Sequence, residues 1–480
     1  MPFRTSLLGV MAASVLLAGC NLAPKYVRPA GAVPAGLPQG GVYPPAASDA
    51  PDVSRVGWRD FFIDPRLQAV IAQGIDNNRD LRVAAGNVLA ARARYRVQRA
   101  DIVPTTGVDG SATFTNTAGF SASAGGGGGG SQNIEIYTAN LGFSAFELDL
   151  FGRVRNLTKA ALEQYFATEE AQRAARISLI AEIANAWLTL AADRDQLALS
   201  QATLKTFEQT RTLTQAQFRI GTASELEARQ ADTQYQGALN DIARLETQIA
   251  QDRNALELLV GAPVPDAQLP ATLGDGRATI DNLQPGISSD VLLRRPDVLQ
   301  AEHQLIAENA NIGAARAARF PRISLTATLG TISGALSGLF GSGTWTYSAG
   351  PSLSLPIFDA GKGAANVRLS EANRDIAVAN YEKTIQTAFR EVADQLAQRG
   401  TIGRQIAAQS QRAESAGVAA KLSDARFRVG VDSFLTALDA QRTAYAARQQ
   451  LVTARLTRAT NLIALYRSLG GGSASTGLSN

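Results

Sequence analysis

The apolar residues follow a helical period along two long segments of the chain. The first segment, residues 153–220, contains neither Gly nor Pro, and as one helix it would be roughly 100 Å long at about 1.5 Å per residue. Apolar residues recur in it every seven positions, as Ile183, Leu190, Leu197 and Leu204. The second segment, residues 235–259, keeps a narrow apolar stripe in steps of three and four, which is typical of a coiled-coil seam. Helices this long cannot be buried within a compact domain. The pattern therefore predicts packing against similar helices, including those of other chains.

The same helical pattern occurs a second time. Three glycines recur 209 residues later and one helical segment recurs 217 residues later: Gly152, Gly221 and Gly261 as Gly361, Gly430 and Gly470, and Asp80 to Pro104 as Asp297 to Pro321. Matching spacings without a gap indicate a tandem duplication. The difference between the two offsets falls near Gly125–Gly130 and predicts a longer loop in the first copy. The second copy also carries Gly400, Gly403 and Gly417, which predict a bend or irregularity in its first long helix.

After Pro104 and after Pro321 the period changes from helical to two. Four segments alternate in this way, at about 105–116, 134–148, 322–331 and 344–356. Their apolar positions include Val108, Ala112 and Phe114, then Leu141, Phe143 and Ala145, then Ile323, Leu325, Ala327 and Leu329, and finally Trp345, Tyr347, Ala349 and Leu353. Strands of about ten residues with this alternation are typical of a transmembrane β-barrel wall, and Phe340, Trp345 and Tyr347 would suit an interfacial aromatic girdle. A soluble sandwich with one wet face is the competing interpretation.

Four strands are too few to close a barrel, because bacterial examples begin at about eight. An open sheet edge in lipid would leave backbone groups unpaired, which is prohibitive. The barrel must therefore be shared among chains. Two chains would supply eight strands and three would supply twelve, and twelve leave a lumen more easily.

The N-terminus has the pattern of a lipoprotein signal. Arg4 precedes the apolar run 7–18, and Leu17-Ala18-Gly19-Cys20 resembles a bacterial lipobox. We expect residues 1–19 to be a signal peptide and Cys20 to be the acylated first residue of the mature chain. Ordinary signal cleavage with an incidental cysteine is the alternative. Because Asn21 follows rather than Asp, the lipoprotein resembles those of the outer membrane. The Pro-, Ala- and Gly-rich residues 20–57 then predict an extended tether.

Composition argues against enzyme chemistry. The chain has one cysteine and one histidine, His303, and both methionines lie in the signal peptide. This nearly excludes a thiolate, thioether or multi-histidine metal site, and no phosphate loop or nucleophile–base pair is visible. His303 is expected to be an ordinary helix residue. The net charge of +4 gives no nucleic-acid signal. We therefore expect no enzyme activity, no cofactor and no bound metal.

Several motifs together resemble the TolC-like outer membrane efflux protein family, specifically the lipoprotein subgroup that serves RND-type resistance pumps. They are Cys20 to Tyr26 with Arg28-Pro29, Trp58 to Leu67, Asn77 to Leu81, Arg294 to Asp297, Phe320-Pro321, and Leu438 to Arg442. The resemblance covers essentially the whole mature chain. It implies a homotrimer with a twelve-stranded outer-membrane barrel, a twelve-helix periplasmic tunnel and an equatorial collar. It also implies a periplasmic adaptor and an inner-membrane RND-type pump as partners.

The chain divides accordingly. We expect a signal peptide (1–19), a lipidated tether (20–57), repeat one (58–261), a linker and equatorial collar (262–290), repeat two (291–470) and a disordered tail (471–480). The fold class is a mixed membrane β-barrel and α-helical coiled-coil barrel built from a duplicated unit. The expected function is the exit duct of a tripartite drug or toxin efflux system, which would contribute to antibiotic resistance. A type I protein secretion duct and a structural, lipid-anchored periplasmic coiled-coil protein stay open as alternatives.

The two turns between long helices are the candidate functional region. Each contains a glycine suited to the left-handed conformation at a helix end. The residues expected at these tips, and in contact with the adaptor, are Arg219, Gly221 and Thr222 in the first turn and Arg428, Gly430 and Asp432 in the second. Arg219 and Arg428 would cap carbonyls or pair across helices.

The periplasmic gate is expected just after the second turn. Leu435 and Asp439 share a helix face, and the resemblance implies that such positions narrow the periplasmic entrance. Copy one has Gln230 in the register of Asp439, so a trimer would hold one such carboxylate per chain. A solvated surface role for Asp439 is the alternative.

Overall fold

The computed structural model describes residues 21–45, 55–116, 133–274, 278–280 and 288–472. The signal peptide, Cys20, the glycine run 125–130 and all but two residues of the expected tail lie outside these ranges. The chain divides into two compact units. The first comprises residues up to Arg28 with Val88–Thr168 and Ala301–Asn380, and the second comprises Pro29–Asn87, Glu169–Gln300 and the chain from Tyr381 onward.

The duplication is present element by element. The first copy has a 22-residue helix, two strands and a 67-residue helix followed by a return helix, and the second copy repeats the 22-residue and 67-residue lengths. The helices are α1 Trp58–Phe61, α2 Pro65–Asn77, α3 Arg79–Ala100, α4 Arg153–Arg219, α5 Glu225–Val260, α6 Pro296–Ala317, α7 Lys362–Arg428 and α8 Phe434–Ser468; the strands are β1 Gly107–Asn116, β2 Asn133–Leu148, β3 Arg322–Ser333 and β4 Trp345–Ser354.

The glycines of α7 do not interrupt it. The helix is continuous from Lys362 to Arg428, so the irregularity that the glycines predicted is not present as a break in the helix. Gly400 has another reason to be glycine, because a Cβ there would overlap the carbonyl oxygen of Val42 in the N-terminal tether. Close approach of a second backbone is the other use of glycine inside an element.

The sheet is antiparallel and its order is β1-β2-β3-β4. Directly paired residues lie on the same face of a sheet. The register brings the apolar positions of all four strands together: Val108–Leu141, Leu141–Leu329, Phe143–Ala327, Phe146–Leu325, Leu148–Ile323, Ile323–Leu353 and Leu329–Tyr347. The opposite face is polar and includes Ser111–Thr138, Ser324–Ser352 and Thr328–Ser348. Several large apolar side chains of the first face are exposed, up to 78% for Val108 and 84% for Tyr347, and others such as Leu325 are partly exposed.

One β-bulge corrects the expected alternation in β2. The register shifts between Phe143 and Phe146, and Ala145 has a φ of 53°. The alternation predicted that Ala145 would continue the apolar series, and the structure shows that it does not. Phe146 takes that place opposite Leu325, and the Ala145 amide donates to Thr326 Oγ1 at 3.0 Å. A bulge adds one residue to one strand and so moves the following side chains to the other face.

The second unit has a dense core around the long helices. Phe61 stacks on Tyr466 with ring centroids 4.1 Å apart, and Phe62 meets Phe61 edge-on at 4.8 Å. Within the described chain, α4 is the one helix long and apolar enough to cross a membrane, but 56% of its most apolar stretch is buried in the protein. Ile183 and Leu190 are fully buried there. We therefore assign this stretch of α4 to the protein core.

Arg295 ties three helices of this unit together. Its guanidinium is 9% exposed and bonds Asp297 at the start of α6 and Glu391 of α7, at 2.7 and 2.8 Å. It also donates to the Ser468 carbonyl at the end of α8 at 2.7 Å. The Arg-Arg-Pro-Asp motif therefore has a structural explanation in a buried arginine whose three guanidinium nitrogens all donate hydrogen bonds.

Candidate pore entrance and membrane anchor

The two tip turns share one geometry. Gly221 has a φ of 78° and Gly430 a φ of 75°, which is the left-handed conformation that the sequence predicted. In the first turn the amide of Thr222 donates to the Gln217 carbonyl at 2.9 Å, and the second turn repeats this bond. These bonds satisfy carbonyls that a helix end leaves free. Each return helix then begins at a serine cap, and Ser224 forms a full capping box.

Both turns also expose apolar side chains. The exposed fraction is 75% for Ile220, 74% for Val429 and 60% for Val431. Adjacent exposed apolar residues on a loop are typical of a surface that another protein covers. The tips of this single chain therefore present accessible apolar area.

The arginines of the second tip differ from the prediction. Among the residues that the structure describes, Arg428 neither caps a carbonyl nor pairs with another helix; its Nε donates to Asp424 of the same helix at 2.8 Å. The ion pair that spans the turn joins Arg426 to Asp432 through two bonds of 2.8 and 2.9 Å. The hydrogen bond from Arg426 lowers the pKa of Asp432. In the first tip, Arg219 forms no ion pair with any residue in the described part of the chain.

The candidate gate residues lie side by side on α8. Leu435 is 61% exposed, and Asp439, four residues later, is also exposed. Asp439 has no hydrogen-bond partner among the residues that the structure describes. At the matching positions of the first copy, Leu226 is similarly exposed and Gln230 replaces the carboxylate. The two side chains are thus available to a pore or to a neighbouring chain.

The opposite side of α8 is packed. Phe434 and Leu438 are 2% and 4% exposed and contact Ala231 of α5. Phe427 of α7 closes this cluster, with its ring 5.7 Å from that of Phe434. The cluster fixes the rotation of α8 and so determines that Leu435 and Asp439 face outward.

The long helices form two helical hairpins, α4 with α5 and α7 with α8. Polar contacts between these two hairpins were not predicted from the sequence. The hydroxyl of Tyr445 on α8 donates to Asp241 of α5 at 3.0 Å and lies 2.8 Å from Ser200 Oγ of α4. Burial, and then the nearby Asp241 carboxylate, raise the pKa of Tyr445, so the phenol stays a donor. Gln441, one turn earlier, donates to Thr210 Oγ1 at 3.3 Å and is 6% exposed. Polar residues four apart on a helix that packs against others were the available signal.

A pair of carboxylates joins α4 to α5 elsewhere in this unit. Burial, and then the adjacent Asp252 carboxylate, raise the pKa of Asp193 to about 6. Asp252 accepts from Gln248 through Oδ1 at 2.8 Å, and its buried Oδ2 has no described hydrogen-bond donor. A protonated Asp193 would supply that donor.

The described residues contain no group of three or more metal-ligating side chains. The single histidine, His303 on α6, lies 2.7 Å from Glu163 of α4 through Nδ1 and against the ring of Phe166. Its contacts are those of a packed helix residue.

Residues 21–28, the first described part of the N-terminal tether, are docked in the first unit. Glu302 of α6, which is 7% exposed, accepts two bonds from Arg28, both of 2.7 Å, and one of 3.0 Å from Tyr26. Further along α6, Asn309 donates to the Pro24 carbonyl at 2.7 Å, and a Cβ on Gly313 would overlap Ala23. Asn21, the first described residue, accepts from Asn156 near the start of α4 at 3.0 Å. Residues 21–28 therefore form a strap along α6, and Cys20 itself lies outside the described residues.

The chain contributes a four-stranded sheet with one apolar, exposed face. It also contributes two 67-residue helices that end in apolar tips. Together these elements define a subunit of a membrane β-barrel that is extended by helices. The model of the family described as "Outer membrane efflux protein" matches residues 70–262 and 287–471. The chain belongs to this family, and its predicted fold class is confirmed.

The chain is also similar, over nearly its full length, to known outer membrane proteins. The chain is 45% identical over 469 residues to the toluene efflux pump outer membrane protein TtgC of Pseudomonas putida, covering 97% of this chain and 96% of the relative. It is 41% identical over 460 residues to the outer membrane protein OprJ of Pseudomonas aeruginosa, covering 96% and 94%. Among solved structures, the open state of the MtrE outer membrane channel of Neisseria gonorrhoeae has a TM-score of 0.83 and 36% identity, covering 95% of this chain and 99% of that one. A membrane protein of Pseudomonas aeruginosa gives 0.86 and 40%, covering 94% and 100%.

The chain is therefore an outer membrane efflux channel that reaches into the periplasm, and the predicted role as an exit duct is confirmed.

Proposed function

We propose that three copies of the chain form the exit duct of a tripartite pump, which passes small toxic compounds from an RND-type inner-membrane pump and a periplasmic adaptor to the exterior. The observation that carries this proposal is the exposed apolar face of a sheet whose opposite face is polar. Such a sheet suits a wall between lipid and an aqueous lumen. Relatives are named for toluene, solvent and antibiotic efflux, which favours small apolar or amphipathic substrates over secreted proteins.

The sheet edges support sharing of the barrel. β1 and β4 are the two edge strands of the described sheet, and each has 10 residues. In the strand order, β4 of one chain would run antiparallel to β1 of the next. Three chains would then close twelve strands and leave no unpaired edge in lipid.

The helices of the first unit support the same head-to-tail assembly. On α6, Ala307 and Ala310 are buried against Ala160 of α4. The repeat equivalents, Ala90 and Ala93 on α3 and Leu369 on α7, are all exposed, Leu369 by 59%. The contact made once within a chain would thus be made a second time between α7 of one chain and α3 of its neighbour.

The lipid anchor is part of this proposal. Acylation of Cys20, for example with palmitate, would attach the strap that begins at Asn21. Because the strap is bonded along α6, the acyl chains would enter the bilayer close to the base of β3, which follows α6 after Pro321.

The gate would lie at the tip of the second hairpin. Three copies of Leu435 would form an apolar constriction, and three copies of Asp439 would form an acidic ring one turn further along α8. The ring would favour cations in the resting pore. The hairpin contacts of Tyr445 and Gln441 would oppose the repulsion between these carboxylates.

The adaptor would dock on the two tips, which comprise Arg219, Gly221 and Thr222 with Arg428, Gly430 and Asp432. The exposed Ile220, Val429 and Val431 would supply apolar contact area. Docking there would replace hairpin contacts and let the hairpins separate.

The proposed function is tested in a strain that lacks its own outer membrane duct and carries the adaptor and pump. We expect the wild-type chain to restore survival in toluene and to lower accumulation of a fluorescent efflux substrate. A tip variant, Val429→Glu with Val431→Glu, should reach the membrane yet restore neither. Wild-type protein that is correctly localised but restores no efflux would contradict the proposal.

A further inference from the structure

The face of α6 that holds residues 21–28 has an equivalent on α3, where the matching side chains are exposed among the residues that the structure describes. The strap contacts α6 at Asn309, Gly313 and Arg316, the last through the Leu22 carbonyl at 3.5 Å. The duplication relates these three positions to Arg92, Arg96 and Arg99 of α3. The positions that accommodate a peptide in the second copy therefore carry arginines in the first, and Arg96 replaces a glycine that the strap requires.

The three arginines form one uncompensated basic face. Spacings of four and three place them on one side of the helix, and all three are exposed. Residues 81–100 of α3 contain no aspartate or glutamate. None of the three arginines forms an ion pair with a residue in the described ranges. This face is turned by about a third of a helical turn from Ala90 and Ala93, the face proposed to meet the neighbouring chain.

The basic face lies near the start of the membrane-facing strands. Arg99 is the repeat equivalent of Arg316, which bonds the strap two residues after Cys20. β1 begins at Gly107, and the intervening Ile102 and Val103 are 44% and 60% exposed. Along the chain toward the strands, the positive charges come first and the exposed apolar residues follow. A phospholipid has the complementary order, with its anionic headgroup first and its apolar acyl chains deeper in the bilayer.

We propose that Arg92, Arg96 and Arg99 bind the headgroup phosphates of anionic phospholipids in the inner leaflet of the outer membrane. Guanidinium groups bind phosphate oxygens in bidentate geometry, and several of them on one helix face are complementary to the charge of an anionic leaflet. Ile102 and Val103 would contact the upper acyl chain. The inference rests on the proposed placement of the strands in the bilayer.

The test uses the full-length protein in vesicles of phosphatidylglycerol and phosphatidylcholine, followed by native mass spectrometry of the lipids that stay bound. We expect wild type to retain phosphatidylglycerol selectively. Arg92→Gln with Arg96→Gln and Arg99→Gln should reduce that selectivity by about tenfold or more at low salt, since each basic residue near a membrane surface contributes to anionic lipid binding. Raising the salt should reduce it in wild type as well.

Two controls make the outcome specific. Arg94→Gln removes an exposed arginine from the opposite side of α3 and should leave the selectivity unchanged. Arg92→Lys with Arg96→Lys and Arg99→Lys keeps the positive charge and should retain most of the selectivity. Unchanged selectivity in the triple glutamine variant would overturn the inference. So would loss of assembly without loss of lipid selectivity, which would make the face a contact between chains, or displacement of the lipid by millimolar inorganic phosphate alone, which would indicate a site for the free anion. Flotation with the vesicles reports membrane insertion separately, so failure of the proposed barrel is recognisable by itself.

Discussion

The pair of carboxylates Asp193 and Asp252 makes the stability of the contact between α4 and α5 depend on pH. Burial and Asp252 raise the pKa of Asp193 from 3.8 to about 6. In the unfolded or locally opened chain the ordinary value applies, so the closed state binds more protons between about pH 4 and 6. The stability of this contact is therefore greatest below that window and falls as the pH rises through it. A shift of about two units corresponds to about 3 kcal/mol at full effect. Asp193 is only half-buried, and solvent screening reduces the expected loss to about 1–2 kcal/mol.

Hydrogen–deuterium exchange of peptides from α4 and α5 measures this loss directly, because local opening is reported at the contact itself. After correction for intrinsic exchange, we expect protection around residues 186–200 to fall by about tenfold between pH 4.5 and 7.5, since about 1.4 kcal/mol is a factor of ten. Asp193→Asn keeps an amide donor for the buried Oδ2 of Asp252 and should remove the pH dependence. Asp439→Asn alters an exposed carboxylate and should leave it intact. Protection that does not change with pH in wild type would refute a proton held between Asp193 and Asp252. The same would follow if Asp193→Asn showed the wild-type pH dependence of protection.

Three further predictions concern the membrane wall, the assembly and the core. Leu325→Arg places a charge on the apolar face and should reduce the free energy of unfolding by about 2–4 kcal/mol near the bilayer midplane, seen as loss of heat-stable protein in outer membrane fractions. The matched control is Thr328→Arg on the polar face. Thr326 is less suitable as a control because its hydroxyl accepts a hydrogen bond from the amide in the bulge. Leu369→Asp should prevent trimer formation in mild detergent, as measured by native mass spectrometry. The charge reversal Glu382→Lys should not, because Glu382 lies thirteen residues further along α7 on another side of the helix. Arg295→Met should destabilise the protein by about 1–3 kcal/mol, because the buried Ser468 carbonyl loses its donor, while Asp297 and Glu391 are 39% and 40% exposed and stay partly hydrated. Arg390→Met breaks only an exposed pair and should change the free energy of unfolding by less than about 0.5 kcal/mol.

The sequence predicted features that depend on local backbone geometry. Gly221 and Gly430 were recognisable because a helix end needs a left-handed residue, and both have that conformation. The strands were recognisable because one face differs from the other in polarity. Features that depend on tertiary contact were missed or misread. Nothing in the sequence around Ala145 marks a bulge, and Gly400 suggested an irregular helix although it accommodates the tether backbone.

The candidate site divides in the same way. The positions of Leu435 and Asp439 on one exposed face follow from helical spacing, and the structure leaves both side chains exposed. The pairing of Arg426 rather than Arg428 with Asp432 depends on how the chain turns after Gly430, which spacing alone does not fix. The bonds of Tyr445 to two other helices require knowledge of which helices are neighbours. Docking of the strap on Glu302 likewise joins residues that are far apart in the chain.

Copies of this chain are proposed to enclose a conducting path whose narrow point lies at Leu435 and Asp439. Single-channel current in planar bilayers tests it directly, with reversal potentials measured under a salt gradient for wild type and for Asp439→Ala with Leu435→Ala. We expect wild type to give discrete, cation-selective steps, and the double variant to give larger steps with weaker cation selectivity and unchanged trimer assembly. Absence of discrete steps from both proteins would contradict the channel itself. Equal conductance and equal selectivity in the two would show that the constriction lies elsewhere and that Asp439 is an ordinary surface residue.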